Sequence, residues 1–367
     1  MSHKNHFKTV LTALAMSAAL LFAPSSSALT AYSQDFEGMT PNQGFPPNDL
    51  SDDGWEIYGF AWDADPTGPA NLVYEYGPFD AANGEPGSIQ GVATDQGGPD
   101  QGDVVLAKYS DYNNTDQSQG PCDPPSVPCV PNLYIQAITF QTQTIAAGDV
   151  GDLWRFTYDA KIGNLEADSR AFAYIQTLDS TSLFQKAFVA NDSTNLPIEW
   201  GTYTLDLFID GALVGDTLQF GFSATSTAYR GSGVLYDNLS FVKVLLATID
   251  IKPGNKRNII NPYSMGGIWV AVLSDNELDP LQVDIPTVRF GPDEAEAIRY
   301  RVKDVNKDGL GDLLLRFNIR ETGIACGDTE TRLIGEIFNG QSITGTDSIE
   351  TVGCNNPKTK KKKHKKK

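Results

Sequence analysis

The chain has 367 residues, with 46 aspartates and glutamates against 28 lysines and arginines, and a formal net charge of −18. This length is enough for two domains, each with its own hydrophobic core. A surface this acidic repels polyanions, so we exclude nucleic acid as a ligand of the folded part. After the N-terminal region, no segment reaches the roughly 18 apolar residues that a membrane-spanning helix needs.

Residues 1–28 have the features of a signal peptide. Two lysines precede an apolar run over residues 10–23, and a small-residue segment then ends at Ala28. A basic start, a short apolar run and a small-residue cleavage site are the pattern of bacterial export signals. We therefore expect a secreted protein, extracellular or on the cell surface.

The four cysteines are expected to form two disulfides. Cys122 and Cys129 flank a proline-rich loop, and Cys326 and Cys354 both lie in the last third of the chain. A zinc site would need further cysteines or histidines close by, and the spacing offers neither. Export exposes the chain to the oxidising conditions in which disulfides persist.

Histidine-dependent catalysis is excluded for the folded part. His3, His6 and His364 are the only histidines, and they lie in the predicted signal peptide or in the lysine-rich tail. This leaves no Ser-His-Asp triad, Cys-His pair or histidine-ligated zinc. Glycoside hydrolysis needs only two carboxylates, but no motif nominates a pair, so we assign no catalytic residues.

Residues 32–245 read as short strands between clusters of glycine, proline, asparagine and aspartate. Residues 154–159 alternate aromatic and polar side chains, and the apolar residues within 203–209 and within 218–222 share one face. Regularly spaced strands with this alternation, and no helix, predict an antiparallel β-sandwich.

Five short segments of this region resemble jelly-roll carbohydrate-binding modules and the related MAM-like and choice-of-anchor surface domains. They are Asp35-Phe36-Glu37-Gly38, Gly54-Trp55, Trp200-Gly201-Thr202-Tyr203-Thr204-Leu205, Leu218-Gln219-Phe220-Gly221-Phe222 and Gly233-Val234-Leu235-Tyr236-Asp237-Asn238-Leu239-Ser240-Phe241. The resemblance implies an all-β jelly-roll β-sandwich, a polysaccharide or cell-surface glycan as ligand, and a structural calcium ion. In that family an acidic residue of the first strand and an aspartate of the last strand bind the ion, which here implies Glu37 and Asp237.

Strand alternation supports a special role for Asp237. This residue shares a strand face with Leu235, Leu239 and Phe241, so we expect its carboxylate to point toward the core. A buried carboxylate needs a cation or several hydrogen bonds. Calcium is one such partner, and backbone amides or an arginine are the alternatives.

Sugar binding requires aromatic platforms, because the C–H faces of sugars stack on rings. The candidates are Tyr58, Trp62, Tyr74 and Tyr76, with a second group at Tyr109 and Tyr112. Each has a plainer interpretation, since aromatic residues of strands usually belong to the core.

Residues 246–354 are expected to form a second, smaller β-sandwich domain whose clearest feature is the loop 304–312. Side-chain oxygens stand at loop positions 1, 3, 5 and 9, with a glycine at 6 and a free carbonyl at 7. This is the ligand spacing of a calcium loop, and alternating residues on both sides predict that it joins two strands. The implied ligands are Asp304, Asn306, Asp308, Asp312 and the carbonyl of Leu310.

The loop resembles the aspartate-rich calcium loops of dockerins and thrombospondin-type repeats. The unit as a whole, with its opening at residues 249–254, resembles a small β-rich module found at the C-terminus of secreted bacterial proteins. An ordinary turn of asparagine, aspartate and glycine between two strands is the alternative interpretation of the loop.

Residues 355–367 form a lysine-rich tail that we expect to be disordered. The tail is either a tether to an anionic surface or a solvated extension.

Together these features predict a secreted, calcium-binding, non-catalytic protein that binds glycans or mediates surface adhesion. A structural component of an extracellular matrix or surface layer is the first alternative, and a secreted polysaccharide hydrolase or lyase is the second.

Overall fold

The structure is a computed structural model that describes residues 28–41, 49–63, 71–76, 90–110, 133–165, 169–226 and 232–354. Within these ranges strands dominate, and the fold is all-β, as predicted. The chain divides between Val242 and Lys243 into two compact units. The predicted signal peptide, the cysteines Cys122 and Cys129, and the lysine-rich tail lie outside the described residues.

The first unit is a jelly-roll β-sandwich. Its strands are β1 (Tyr32–Gln34), β2 (Glu56–Asp63), β3 (Asn71–Tyr76), β4 (Gln90–Ala93), β5 (Val105–Ser110), β6 (Leu133–Thr144), β7 (Leu153–Asn164), β8 (Arg170–Leu178), β9 (Gln185–Asp192), β10 (Gly201–Phe208), β11 (Thr217–Ser226) and β12 (Ser232–Leu246), whose last residues belong to the second unit. One sheet has six strands in the order β3-β2-β6-β11-β8-β9. The facing sheet runs β10-β7-β12, and β12 pairs along its other edge with β1 and with the hairpin β5-β4.

Stacked aromatic rings hold the two sheets of the first unit together. The rings of Phe220 and Phe241 have centroids 4.2 Å apart, and those of Phe222 and Tyr236 lie 3.7 Å apart. Each pair joins β11 of one sheet to β12 of the other. These rings belong to the larger hydrophobic core of the unit. Burying each ring stabilises the fold by about 1.5–3 kcal/mol.

The second unit has its own strands and its own core. The strands are β13 (Ile249–Ile251), β14 (Ile259–Ile260), β15 (Gly267–Val272), β16 (Val283–Phe290), β17 (Ala295–Glu296), β18 (Arg299–Lys303), β19 (Asp312–Asn318), β20 (Glu330–Ile337), β21 (Ser342–Ser348) and β22 (Glu350–Thr351). One sheet has the order β13-β15-β19-β18, and another joins β21, β20, β16 and β17. Phe290 and Phe317, with ring centroids 4.9 Å apart, pack in the core of this unit.

Cys326 and Cys354 form a disulfide, as the sequence predicts, with Cα atoms 5.7 Å apart. The bridge closes a loop that contains the last three strands of the second unit, β20, β21 and β22. Helical structure is slight within the described ranges. It consists of one turn, α1 (Asp49–Asp52), and short 3-10 turns at Ala147–Asp149, Gly211–Leu213, Pro280–Gln282 and Ile319–Glu321. The sequence predicted no helix in the first unit, and α1 is too short to show a helical period.

Candidate functional site

The six-stranded sheet of the first unit carries a second cluster of side chains on the face opposite the main core. Along β2, Ile57 joins the main core, whereas Tyr58, Phe60 and Trp62 alternate with it and point the other way. Strand periodicity therefore defines an outer face of this sheet. Its members are Glu56, Tyr58, Phe60, Trp62, Gln136, Ile138, Phe140, Thr142, Tyr174, Gln176, Phe188, Gln219 and Ser223.

Strand register arranges this outer face in rows across the sheet. One row contains Thr142, Gln219, Gln176 and Phe188, contributed by β6, β11, β8 and β9. The row ends are open to solvent, because Thr142 is exposed and Phe188 is 36% exposed. The two glutamines between them are at most 3% exposed.

The neighbouring row places Glu56, Phe140 and Tyr174 side by side, with Gly221 between the last two. A Cβ on Gly221 would come within 2.1 Å of the Thr139 carbonyl oxygen, so only glycine fits at this crossing. The Tyr174 ring lies 6.3 Å from the Phe188 ring in a stacked arrangement. The two rows therefore meet at the Tyr174–Phe188 pair.

Side-chain amides form hydrogen-bonded chains on the outer face. Gln185 Nε2 donates to Gln176 Oε1, and Gln176 Nε2 donates to Gln219 Oε1, both at 2.8 Å. Elsewhere on the face, Trp62 Nε1 donates to Gln136 Oε1 at 3.0 Å. Each of these side-chain amides keeps an unused hydrogen-bond donor or acceptor. Such groups can bind the hydroxyls of a polyhydroxylated ligand.

The Tyr174 hydroxyl is buried and has no hydrogen-bond partner. Burial raises the pKa of Tyr174, and the nearby Glu56 carboxylate raises it further. Burial also raises the pKa of Glu56, although the Thr142 hydroxyl, 2.8 Å from Glu56 Oε1, partly offsets that effect. Because an unpaired buried hydroxyl costs about 1–3 kcal/mol, a group that hydrogen-bonds Tyr174 would gain that energy on binding.

The structure separates the aromatic residues that the sequence nominated as platforms. Tyr58 and Trp62 lie on the outer face but are only 5% and 3% exposed, so their ring faces are covered. Tyr74 and Tyr76 lie on β3 at the edge of the same sheet, and their side chains are outside the described part. Tyr109 is half-buried on β5 of the other sheet. Tyr112 lies outside the described residues.

Asp237 is fully buried, and its Oδ2 atom has no hydrogen-bond partner. Its other oxygen accepts the N–H of Asn238 at 2.7 Å. Burial raises the pKa of Asp237 to about 7, against the effect of that hydrogen bond, and the charges of Asp159, Glu37 and Asp35 add to the rise. The site is thus a buried carboxylate among other carboxylates.

The expected direction of the Asp237 side chain was wrong. Tyr236 and Leu239 both enter the main core, because Asn238 between them has a φ of +48° and breaks the alternation of β12. Asp237 therefore lies on the opposite face of the strand, on the side of Leu235, which packs in a separate small cluster. Strand alternation cannot reveal such a break, since asparagine tolerates both conformations.

The neighbours of Asp237 are held in place by hydrogen bonds. Glu37 Oε1 accepts the N–H groups of Asp103 and Val104, each at 2.8 Å. Asp159 Oδ2 accepts from the Asn238 and Gln101 side chains at 2.9 and 2.8 Å. Oxygen donors with one orphaned, buried member suit calcium chemically. Within the described ranges, no three acidic side chains meet closely enough to enclose an ion.

The loop 304–312 joins β18 to β19, two paired antiparallel strands, as predicted. Gly309 has a φ of +92°, the conformation for which this position requires glycine. The side-chain oxygens turn inward onto the amides of the loop: Asp304 accepts from the N–H groups of Lys307 and Gly309, and Asp308 accepts from Leu310. Leu310 itself is half exposed.

Asp312 differs from the other predicted ligands of the loop. It is fully buried, and its two oxygens accept the N–H groups of Ser274 at 3.0 Å and Val305 at 2.7 Å. Both oxygens are therefore already hydrogen-bonded, and the residue ties the loop to the segment after β15. Asp304, Asn306 and Asp308 remain the accessible oxygen-bearing side chains of the loop.

Sequence reasoning missed Tyr174, Phe188, the glutamines of the outer face and Asp159. Asp159 and Gln176 each follow an aromatic or apolar core residue on a strand, which marks them as facing away from the core. Their grouping depends on strand register, and no local pattern contains that information.

Comparison with known proteins gives distant structural likenesses. A family 22 carbohydrate-binding module of Clostridium thermocellum Xyn10B is 12% identical, with a TM-score of 0.29 over 60% of this chain and 96% of that chain. A Fischerella sp. TAU cyclase bound to 4-(1H-indol-3-yl)butan-2-one is 14% identical, with a TM-score of 0.28 over 61% of this chain and 98% of that chain.

A two-module structure of C. thermocellum xylanase 10B bound to xylohexaose is 12% identical, with a TM-score of 0.24, and covers 42% of this chain. The present chain spans a quarter of that protein, 25% of its length. No family model matches the chain. No curated protein matches it either. With TM-scores below 0.5, these likenesses do not indicate a shared ligand or activity.

Proposed function

We propose that the first unit is a non-catalytic glycan-binding module, and that the chain acts as a secreted, calcium-stabilised binding or adhesion protein. The observation that carries this proposal is the unpartnered hydroxyl of Tyr174, which lies near the Glu56 carboxylate and belongs to a ring that stacks on the Phe188 ring. The hydroxyls of a sugar can hydrogen-bond the Tyr174 hydroxyl and the Glu56 carboxylate, and a C–H face of the sugar can stack on the Phe188 ring. The row of Thr142, Gln219 and Gln176 extends the same chemistry across the sheet.

The ligand would enter at the solvent-exposed end of this strip, at Phe188. This ring is 36% exposed and stacks on Tyr174, which is 1% exposed. A partly exposed aromatic next to a buried polar cluster is the arrangement in which ring stacking and hydroxyl recognition act together. Phe188 therefore replaces Tyr58 and Trp62 as the proposed platform.

Calcium is proposed at two places. In the first unit, Asp237 and Glu37, with Asp159 and Asp35 nearby, would bind an ion that neutralises the buried carboxylate of Asp237. In the second unit, the accessible oxygens of Asp304, Asn306 and Asp308, with the Leu310 carbonyl, would hold an ion that braces the turn between β18 and β19. In both places the ion supplies structural charge neutralisation.

One feature of the second unit supports export. The Cys326–Cys354 disulfide is of the kind that persists outside the reducing cytosol. Within the described residues no helix is both long and apolar enough to span a membrane. The lysine-rich tail, residues 355–367, is proposed as an electrostatic tether to an anionic surface.

The test is a neutral-glycan array in millimolar calcium with the full chain and two variants, Phe188→Ala and Tyr174→Phe. We expect the parent to bind a defined neutral glycan and each variant to bind it at least about tenfold more weakly, since each removes one contact. Phe208→Ala is the matched control for Phe188→Ala: Phe208 is 52% exposed on β10 of the other sheet. Tyr236→Phe, a change in the main core, is the control for Tyr174→Phe.

Equal losses in the controls would show that the variants act through folding and would overturn the assignment of the outer face. Calcium-dependent self-assembly without sugar binding would instead identify a matrix or surface-layer component. Release of new reducing ends from the bound polysaccharide would identify a hydrolase and would point to Glu56.

A further inference from the structure

The second unit contains an open groove of about 750 Å³ on the outer side of the β13-β15-β19-β18 sheet. Its walls come from β15, β18 and the loops that follow β13 and β14. This volume is in the range of sites for small ligands or for one or two sugar rings. The first unit and its outer face contribute no residue to the groove.

The groove is basic in an otherwise acidic protein. Lys252, Arg301 and Lys303 line it, and none of the lining residues is an aspartate or glutamate. Arg301 and Lys303 are exposed, and within the described part of the chain neither forms an ion pair with a carboxylate. Clustered, unneutralised cations repel one another, so an anion that enters the groove is stabilised by all three.

Trp269 sets the direction of the guanidinium groups. The Arg301 guanidinium lies over the Trp269 ring at 4.7 Å from its centroid, and that of Arg316 lies at 5.9 Å. A guanidinium stacked on an aromatic ring keeps its N–H donors free at its edge. Arg316 Nε is buried and has no hydrogen-bond partner. Stacking thus leaves the exposed Arg301 with directed donors that match the two oxygens of a carboxylate or the oxygens of a sulfate.

Lys252 is fixed at the edge of the groove by an unusual backbone. Its φ is +54°, a conformation that side chains other than glycine rarely adopt. Its Nζ donates to the Ile259 carbonyl oxygen at 2.6 Å, which leaves two further N–H donors. Asn261 and Ser264 line the same groove and provide uncharged polar groups beside the cations.

We propose that this groove binds an acidic saccharide, with a carboxylate or sulfate on Arg301 and Lys303 and the sugar hydroxyls toward Asn261 and Ser264. A concave site with cations and uncharged polar groups fits a charged sugar ring better than it fits the flat acidic surface of a protein. The site is independent of the neutral-glycan strip proposed for the first unit, because it lies in the other unit and recognises charge.

Protection of an edge strand is the alternative role for these cations. β18 lies at the edge of its sheet, where lysine and arginine discourage pairing with another chain. That role predicts no ligand, and it applies equally to Arg299, which lies on the same strand and the same face but does not line the groove. Arg299 therefore provides the matched control.

The test measures binding by calorimetry with the full chain and the variants Arg301→Gln, Arg301→Lys and Arg299→Gln. The probes are a short oligogalacturonate, a sulfated galactan oligosaccharide, an uncharged galactan oligosaccharide and a polyglutamate peptide. We expect one or both acidic saccharides to bind the parent, binding to weaken about tenfold or more in Arg301→Gln, and Arg299→Gln to bind like the parent. The lysine-rich tail is identical in every variant, so a difference between variants reports the groove.

Arg301→Lys keeps the charge and loses the planar fork, so we expect an intermediate loss. Whichever acidic saccharide binds more tightly identifies carboxylate or sulfate as the recognised group. Equal effects of the Arg301 and Arg299 variants would assign the binding to general surface charge and overturn the proposal. Tighter binding of polyglutamate than of either saccharide would also overturn it, in favour of an acidic protein partner. Neutral-glycan binding by the first unit should be unchanged in all three variants.

Discussion

At the scale of single residues, two buried polar side chains of the first unit are central to its proposed sites. Asp237 is a fully buried carboxylate with one unpaired oxygen, and Tyr174 is a buried phenol with an unpaired hydroxyl. Each costs folding free energy as it stands, so each indicates a partner that the folded chain does not supply. A metal ion suits the first group, and a ligand hydroxyl suits the second.

Replacing Asp237 by asparagine removes a buried charge while keeping the shape of the side chain. In EDTA we expect Asp237→Asn to stabilise the first unit by about 1–3 kcal/mol, because burial first and the acidic neighbours second disfavour the charged carboxylate. In millimolar calcium we expect the variant to lose the stabilisation that the ion gives the parent. Melting curves in the two buffers measure both effects.

Asp210→Asn is the control for this experiment. Asp210 caps the 3-10 turn Gly211–Leu213 by accepting the Ala212 N–H at 2.7 Å, and asparagine caps equally well. The melting temperature of the Asp210→Asn variant should equal that of the parent in both buffers. If Asp237→Asn responds to calcium as the parent does, Asp237 does not bind the ion.

At the scale of elements, the turn between β18 and β19 shows how a loop can be prepared for a cation. The carboxylates of Asp304 and Asp308 already face inward onto loop amides, and Gly309 allows the chain to turn. Asp312 anchors the loop from beneath through Ser274 and Val305. The position that the spacing assigned as the ninth ligand residue thus has a structural hydrogen-bonding role in the fold.

Calcium should stabilise the second unit through this loop. At a hundredfold excess over its dissociation constant, an ion that binds only the folded state adds about 2.7 kcal/mol. We therefore expect EDTA to lower the melting temperature of this unit in the parent, and Asp308→Ala to abolish the difference between the two buffers. Differential scanning calorimetry measures the shift.

Glu330→Ala removes the same charge from an exposed position at the start of β20 and serves as the control. This variant should keep the full response to calcium. A parent protein that melts at the same temperature with and without EDTA would refute the calcium loop and leave the plain turn.

At the scale of the whole molecule, each unit has its own hydrophobic core. The aromatic layer of the first unit and the aliphatic core around Phe290 and Phe317 share no residue. The Cys326–Cys354 disulfide lies entirely within the second unit and spans 28 residues. The bridge lowers the conformational entropy of the unfolded second unit, so it stabilises that unit only.

We expect calorimetry to resolve two unfolding transitions. Replacing both Cys326 and Cys354 by serine should destabilise one of these transitions by about 3.6 kcal/mol, as the loop length implies, and leave the other in place. Reduction of the parent protein should give the same selective shift, provided that reduction is confirmed at this bridge by mass spectrometry. A single transition that moves as a whole would show that the two cores unfold together.

Local patterns in the sequence were sufficient for the all-β class, the sandwich, the strands on both sides of the loop 304–312 and the pairing of Cys326 with Cys354. The first three depend on neighbouring residues along the chain, namely alternation with period two and turn residues, and the disulfide follows from the number and placement of the cysteines. The burial of Trp154 and Phe156 followed from the same alternation.

Tertiary structure alone decided the site. Tyr174, Gln176, Phe188, Gln219 and Glu56 come from four strands, β8, β9, β11 and β2, and only the register of these strands brings the side chains onto one face. The single φ of Asn238 moved Asp237 to the face that alternation excluded. Arg301 and Trp269 meet only because β15 and β18 flank β19. Register and crossing contacts are set by the packing of the whole sheet, so no window of neighbouring residues contains them.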